Sequence, residues 1–136
     1  MRFLPIPTNK DDLELTWPLW HPFLAGISKR SKEPVKELEQ AVMQKRVHIA
    51  LVWDGKQAHA LLGMQFRPVG HELIGELVWL TGKNMKAWTH LLPEAERYLK
   101  EHVHCAKIRP LCRPGWSRLL KQQGYKVTHY VMEKPL

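Results

Sequence analysis

The run Glu72-Leu73-Ile74-Gly75-Glu76-Leu77-Val78-Trp79-Leu80 is rich in branched and aromatic residues and lies between Gly70 and Gly82, the pattern of a central β-strand. Beyond Thr81-Gly82-Lys83-Asn84 the apolar residues change period. Trp88, Leu91, Leu92, Ala95, Tyr98, Leu99 and Val103 fall on one helical stripe, with Lys86, His90, Glu94, Lys100 and Glu101 off it. A strand that turns through a short loop into a helix points unpaired backbone N–H groups beyond its own end. That is the geometry of an anion or phosphate site.

Upstream of this unit, Arg2 to Ile6 reads as a first strand, with Pro5 tolerated near an edge. Thr8 or Asn9 can cap a helix starting near Lys10, and Asp11 and Asp12 suit its positive end. Pro18 and Pro22 divide the following apolar segment into two short helical pieces. Gly26 to Lys32 is a basic link, and Pro34 at the first position opens a helix that turns Val35, Leu38 and Val42 inward. Val47 to Trp53 is a strand, Asp54-Gly55 a two-residue turn, and Gln57 to Phe66 the returning strand.

Downstream, Cys105 to Leu111 reads as a fifth strand and Pro114 to Gln123 as a helix with Trp116, Leu119 and Leu120 inward. Gly124 ends that helix, and the alternating Tyr125 to Met132 closes the chain as a last strand. The expected order is β-α-α-β-β-β-α-β-α-β. It describes one α+β domain over residues 1–136, a mixed, mostly antiparallel sheet of about six strands flanked by about four helices.

An apolar fraction of 44% and a charged fraction of 25% are ordinary for a globular domain. No apolar run reaches the ~18 residues of a membrane span, and Pro5, Pro7, Asn9 and Asp11 interrupt any signal-peptide plan. Cys105 and Cys112 are too few for a disulfide framework, so the expected setting is cytoplasmic, with no membrane. The net charge of +8 is scattered over Lys29-Arg30, Lys32, Lys45-Arg46, Lys107, Arg109, Arg113, Arg118 and Lys121. It reads first as a solvated basic surface. The second reading is an electrostatic surface for nucleic acid, an anionic cofactor or an acidic partner.

The element order, with the run Arg113 to Met132, resembles the GCN5-related N-acetyltransferase (GNAT) superfamily. In that family a Gln/Arg-x-x-Gly-x-Gly/Ala loop after the fourth strand holds the pyrophosphate of acetyl-CoA on backbone amides, and the flanking strands splay for the pantetheine arm. With Leu91-Leu92 matched to the family's paired leucines, the basic residue falls on Lys83 and the two glycines on Lys86 and Trp88. Glycine matters there because a phosphate reaches backbone N–H only where no side chain blocks it. Shifting by one residue places Ala87 last, but then Met85 replaces the central glycine and Gly82 the basic residue. The resemblance assigns acetyl-CoA to Leu80, Lys83, Asn84, Met85, Lys86, Ala87 and Arg113.

The second signature, Asn-x-x-Ala-x-x-Leu-Tyr-x-Lys-x-Gly-Phe, matches at Leu119 and at Gly124-Tyr125. Arg113 replaces its asparagine, Trp116 its alanine, and Leu120 the tyrosine that often protonates the leaving thiolate. Tyr125, Tyr130, Cys112 or a water would have to substitute. The catalytic candidates implied are Glu76 as base and Tyr125 as acid, with Glu72 sharing the face of Glu76. A solvated or ion-paired carboxylate is the plainer reading of both glutamates.

Val78-Trp79-Leu80-Thr81-Gly82-Lys83 is also similar to a run in small bacteriophage proteins of this superfamily that lack the loop glycines, some of them internal virion proteins. That resemblance implies a phage- or prophage-encoded protein acting through contacts with a phage or host protein, in the host cytoplasm or the virion. An active acetyl-CoA-dependent N-acetyltransferase with a divergent pocket is the alternative, and a basic nucleic-acid-binding module the next. His102, His104 and Cys105 read as a helix-end cluster rather than a metal site. Cys112 sits at a helix start that would lower its thiol pKa, but has no adjacent base. Gly75 is the expected position of a bulge, and the six tryptophans are expected mostly in the core.

Overall fold

Five strands form one mixed sheet in chain order: β1 (Arg2–Pro5), β2 (His48–Trp53), β3 (Ala58–Val69), β4 (Glu72–Gly82) and β5 (Lys107–Pro110). The structure, a computed structural model, describes residues 1–136. The first three junctions are antiparallel and β4–β5 is parallel. Helices α1 (Lys10–Trp20), α2 (Leu24–Ser31) and α3 (Val35–Met43) cover one face, while α4 (Leu92–Tyr98) and α5 (Pro114–Gln122) cover the other. The period of two along the strands sorts the core accordingly. Ile49, Leu51 and Leu61 pack with Leu13, Trp20 and Leu38, whereas Ala50, Val52, Leu62 and Met64 pack with Leu92, Trp116 and Leu120. No helix is long and apolar enough to cross a membrane.

Local chemistry sets the boundaries. The Asn9 side chain accepts from the Asp12 amide at 2.9 Å and caps α1. α1 runs through Pro18 unbroken and yields only at a 3₁₀ turn, His21–Phe23, and the expected basic link from Gly26 to Lys32 is instead helical, since α2 continues to Ser31. Pro34 is the cap of α3 and not its first residue. The β2–β3 connection is a four-residue loop, Asp54–Gln57, in place of the expected two-residue turn, because a register shift at Val52/Trp53 uses up the difference. Asp54 holds that loop by accepting from the amides of Lys56 and Gln57 at 2.7 and 2.8 Å, with His59 Nε2 at 2.7 Å. The bond to His59, with the two amides, holds its carboxyl well below the usual carboxylate range.

Three expectations are corrected. The bulge in β4 lies at Val78, since Met64 pairs with Leu77 and Gly63 with Trp79. Gly75 instead makes room for a helix: a Cβ there would lie 2.9 Å from a Leu99 methyl. The single long helix is broken up. Met85–Ala87 and Thr89–Leu91 are 3₁₀ turns, α4 starts at Leu92, and Leu99–Val103 is a wide π turn. Pro93 has no N–H to give the Thr89 carbonyl four residues back, and that carbonyl accepts from Gln123 Nε2 at 3.2 Å. The sixth strand is absent, and residues 126–136 are exposed without regular structure. β5 pairs over four residues and ends on Pro110, which has no N–H to offer, so its edge gives a further strand little to bond.

Candidate functional site

β4 and β5 pair only from Ile74 to Leu77, and the last bond runs from the Leu111 amide to the Leu77 carbonyl at 2.9 Å. Beyond it β4 continues through its bulge to Gly82, while the other chain turns through Cys112 and Arg113 into α5. The bulge sends both Val78 and Trp79 toward the α1–α3 side. The strands therefore part, and a cavity of about 760 Å³ opens beside the gap. Val78, Trp79, Leu80, Leu111, Cys112 and Trp116 form its apolar wall, and Leu38 and Ala41 of α3 face them. Its size lies within the range of about 300–1,000 Å³ typical of small-molecule sites.

The polar lining includes guanidinium groups from three separate segments, with Glu33, Glu37, Gln40, Gln65 and Ser31. Arg30 lies in the last turn of α2, Arg46 precedes β2, and Arg113 is the N-terminal cap residue of α5. None of the three lies within ion-pair distance of a carboxylate, although Glu33 and Glu37 also border the cavity. Partial burial, and then the positive charge of Arg113, lower the pKa of Arg30 from its ordinary value. Gly26, one turn before Arg30, lies beside the guanidinium: a Cβ there would sit in ordinary contact, 3.7 Å from Arg30 Nη1 and 3.4 Å from Thr81 Oγ1.

Of the residues assigned to the cofactor by sequence, Leu80 and Arg113 line this cavity, and Lys83, Asn84, Met85, Lys86 and Ala87 do not. The latter lie past the end of β4. Asn84 is left-handed at φ 52°, and the amides of Ala87, Trp88 and Leu91 donate to the carbonyls of Asn84, Met85 and Trp88. Trp88 is only 1% exposed and packs on Trp116 with ring centroids 5.4 Å apart. Its Nε1 finds no acceptor on the protein.

Glu76 is 3% exposed, 3.0 Å from Arg67 Nε and 3.8 Å from Arg109 Nη1. Because Leu77 packs beneath α4 and α5, Glu76 points to the opposite face. Glu72 is exposed and reaches Lys107 at 3.5 Å. Tyr125 packs against the α4–α5 core, and its hydroxyl donates to Glu96 Oε2 at 2.7 Å. Burial and that carboxylate push the phenol far above its usual range. Glu76 and Tyr125 thus occupy different faces of the sheet, and neither borders the cavity. Cys112 does, but burial pushes its thiol up, where the helix start was expected to lower it. No group of three His, Cys, Asp or Glu side chains is placed to hold a metal ion.

Sequence reading had no route to Arg30 and Arg46 as partners of Arg113. The only signal was membership of two short basic clusters, and 83 residues separate Arg30 from Arg113.

No protein-family model matches the sequence, and no curated relative matches it. Solved structures do match in shape. A probable acetyltransferase superposes with a TM-score of 0.70 at 14% identity, covering 100% of this chain and 97% of the other. The ribosomal-protein-alanine N-acetyltransferase of Brucella melitensis biovar Abortus 2308 gives 0.67 at 11% identity, with coverage of 100% and 99%. The aminoglycoside 6'-N-acetyltransferase of Acinetobacter haemolyticus gives 0.66 at 17% identity, with coverage of 100% and 98%. Identity this low speaks for architecture alone, and on that architecture the chain has the GNAT fold.

Proposed function

We propose that this GNAT-fold chain carries a degenerate pyrophosphate loop and acts by binding, through contacts with a protein partner, rather than by acetyl transfer. The observation that carries the reading is Trp88. It stands where the family needs bare backbone, its ring is locked into the core against Trp116, and the amides of Ala87 and Trp88 already serve 3₁₀ turns. Those two amides cannot also hold the diphosphate of acetyl-CoA, because donors committed to carbonyls are not free for an anion. Separation of Glu76 from Tyr125 across the sheet supports the same reading. A phage or prophage origin, with a role in the virion or its assembly, accords with the likeness of Val78–Lys83 to such proteins.

The second reading is an active acetyl-CoA-dependent N-acetyltransferase with a divergent pocket. It is favoured by one observation, the parting of β4 from β5 with Leu80 and Arg113 on the resulting cavity. Calorimetry of the full chain with acetyl-CoA separates the two. The expected result is no saturable binding. Binding in the micromolar range that weakens tenfold or more in Lys83→Ala would overturn the first reading.

A further inference from the structure

We propose that the closing segment of one copy of this chain, residues 126–136, lies along the outer face of α1 of a second copy and joins the two head to tail. The inference goes beyond the reading above and does not depend on whether acetyl-CoA binds. The exposed large apolar side chains gather in two places, one near each end of the sequence. Leu15, Pro18, Leu19 and Pro22 recur at helical spacing along α1 and the turn after it, on the side opposite buried Leu13 and Trp20, and Leu15 is 77% exposed. In the closing segment Tyr130, Val131 and Met132 are 86%, 87% and 91% exposed.

Neither edge of the sheet suits that segment as an added strand. On β1 the Phe3 amide already donates to Glu94 Oε2 at 3.0 Å and Pro5 has no N–H, while β5 ends on Pro110. A second copy's sheet is blocked in the same way. Charge then selects α1. From Asp11 to Ser28 there are three acidic residues and no lysine or arginine, whereas from Arg113 onward five basic residues face the single acid Glu133. In a chain of net charge +8, a basic apolar segment is therefore drawn to the α1 end and repelled elsewhere. The segment also leaves from a fixed point, since the Tyr125 amide donates to the Leu120 carbonyl at 3.1 Å and its hydroxyl to Glu96 Oε2 at 2.7 Å. Such a contact is heterologous: each copy offers its tail to one neighbour and its α1 to another.

The test is sedimentation velocity of the full chain over a rising concentration series, with two double variants. One carries Leu15→Gln and Pro18→Gln on α1, the other Val131→Gln and Met132→Gln in the closing segment. All four side chains are exposed, so neither change disturbs the core. The unaltered chain should associate as concentration rises, and each variant alone should associate at least tenfold more weakly. An equimolar mixture of the two should recover a heterodimer and nothing larger, because one intact α1 meets one intact tail. Salt at about 1 M, where the screening length falls to about 3 Å, should weaken association of the unaltered chain at least tenfold.

The proposal is overturned if the unaltered chain stays monomeric throughout, which includes a tail folded onto its own α1. It is equally overturned if either variant associates as well as the unaltered chain, the mark of α1 meeting α1 or tail meeting tail, or if the mixture stays monomeric. Failure here leaves the acetyl-CoA result untouched, and the two measurements can disagree.

Discussion

Glu76 provides a sharp test, because ranking residues by burial and ranking them by electrostatics give opposite answers. Its side chain is 5% exposed, whereas its partners Arg67 and Arg109 are 61% and 28% exposed. Replacing Glu76 by leucine, of similar volume, removes the one charge that the fold took out of water and lets both guanidiniums recover solvent. Buried ion pairs exchanged for apolar groups are often neutral in stability, so with the lost bonds the cost should be about 1 kcal/mol. Arg67→Ala does the reverse. It strands a buried carboxylate with only Arg109, at 3.8 Å, to hold it. Losing one partner of a fully buried pair costs about 3–5 kcal/mol, and because Arg67 is largely exposed and Arg109 remains, solvent screening lowers the expectation to about 2 kcal/mol.

The double variant should then cost about as much as Glu76→Leu alone, giving a coupling equal to the Arg67→Ala cost, roughly 2 kcal/mol. Urea unfolding of the four proteins, followed by tryptophan fluorescence and far-ultraviolet circular dichroism, measures all of these terms. If Arg67→Ala costs less than Glu76→Leu, the carboxylate is not buried with Arg67 as its principal partner, and the reasoning fails. The leucine variant also removes the candidate base while keeping the fold, so it is the control for any acyl-transfer assay.

Trp88→Ala empties a space between Trp116 and the sheet and should cost about 3–5 kcal/mol in the same urea experiment. A cost below 1 kcal/mol would mean that the ring is not core. Gly63→Ala places a methyl 2.6 and 2.8 Å from two atoms of the Trp79 ring, so overpacking of about 1–3 kcal/mol is expected together with altered near-ultraviolet dichroism. An unchanged spectrum would contradict the stacking of Trp79 over Gly63. His48, its ring 4.7 Å from Phe66, has its pKa lowered by desolvation and then by Lys45. The unfolded chain therefore binds the proton more readily, and stability should fall as pH drops below about 6.5 toward the lower folded value. His48→Gln should flatten that decline in urea midpoints measured between pH 5 and pH 8, and an unaltered slope would assign it to another group.

Much of the scaffold was written locally. The branched run Ile74 to Leu80, the Asn9 cap, the proline break after Trp20 and the glycine after α5 each act within a few residues, so their elements can be read from the chain alone. The strand from Val47 to Trp53 was likewise legible, and its period of two is what puts Leu51 and Val52 in different core clusters. Where neighbours matter, the sequence was silent or misleading. Tyr125 to Met132 has strand character but finds no adequate edge, because β5 stops at Pro110. The stripe from Trp88 to Val103 has helical spacing, yet Pro93 breaks its first turns.

The site divides in the same way. Lys83, Lys86 and Trp88 could be set against a loop motif by counting, since that motif is contiguous. That Arg30 and Arg113 line one cavity is decided only by the fold, which brings the last turn of α2 and the start of α5 to the same gap. Charge and period are properties of a residue and its neighbours in the chain. Proximity across 83 positions belongs to the folded molecule alone.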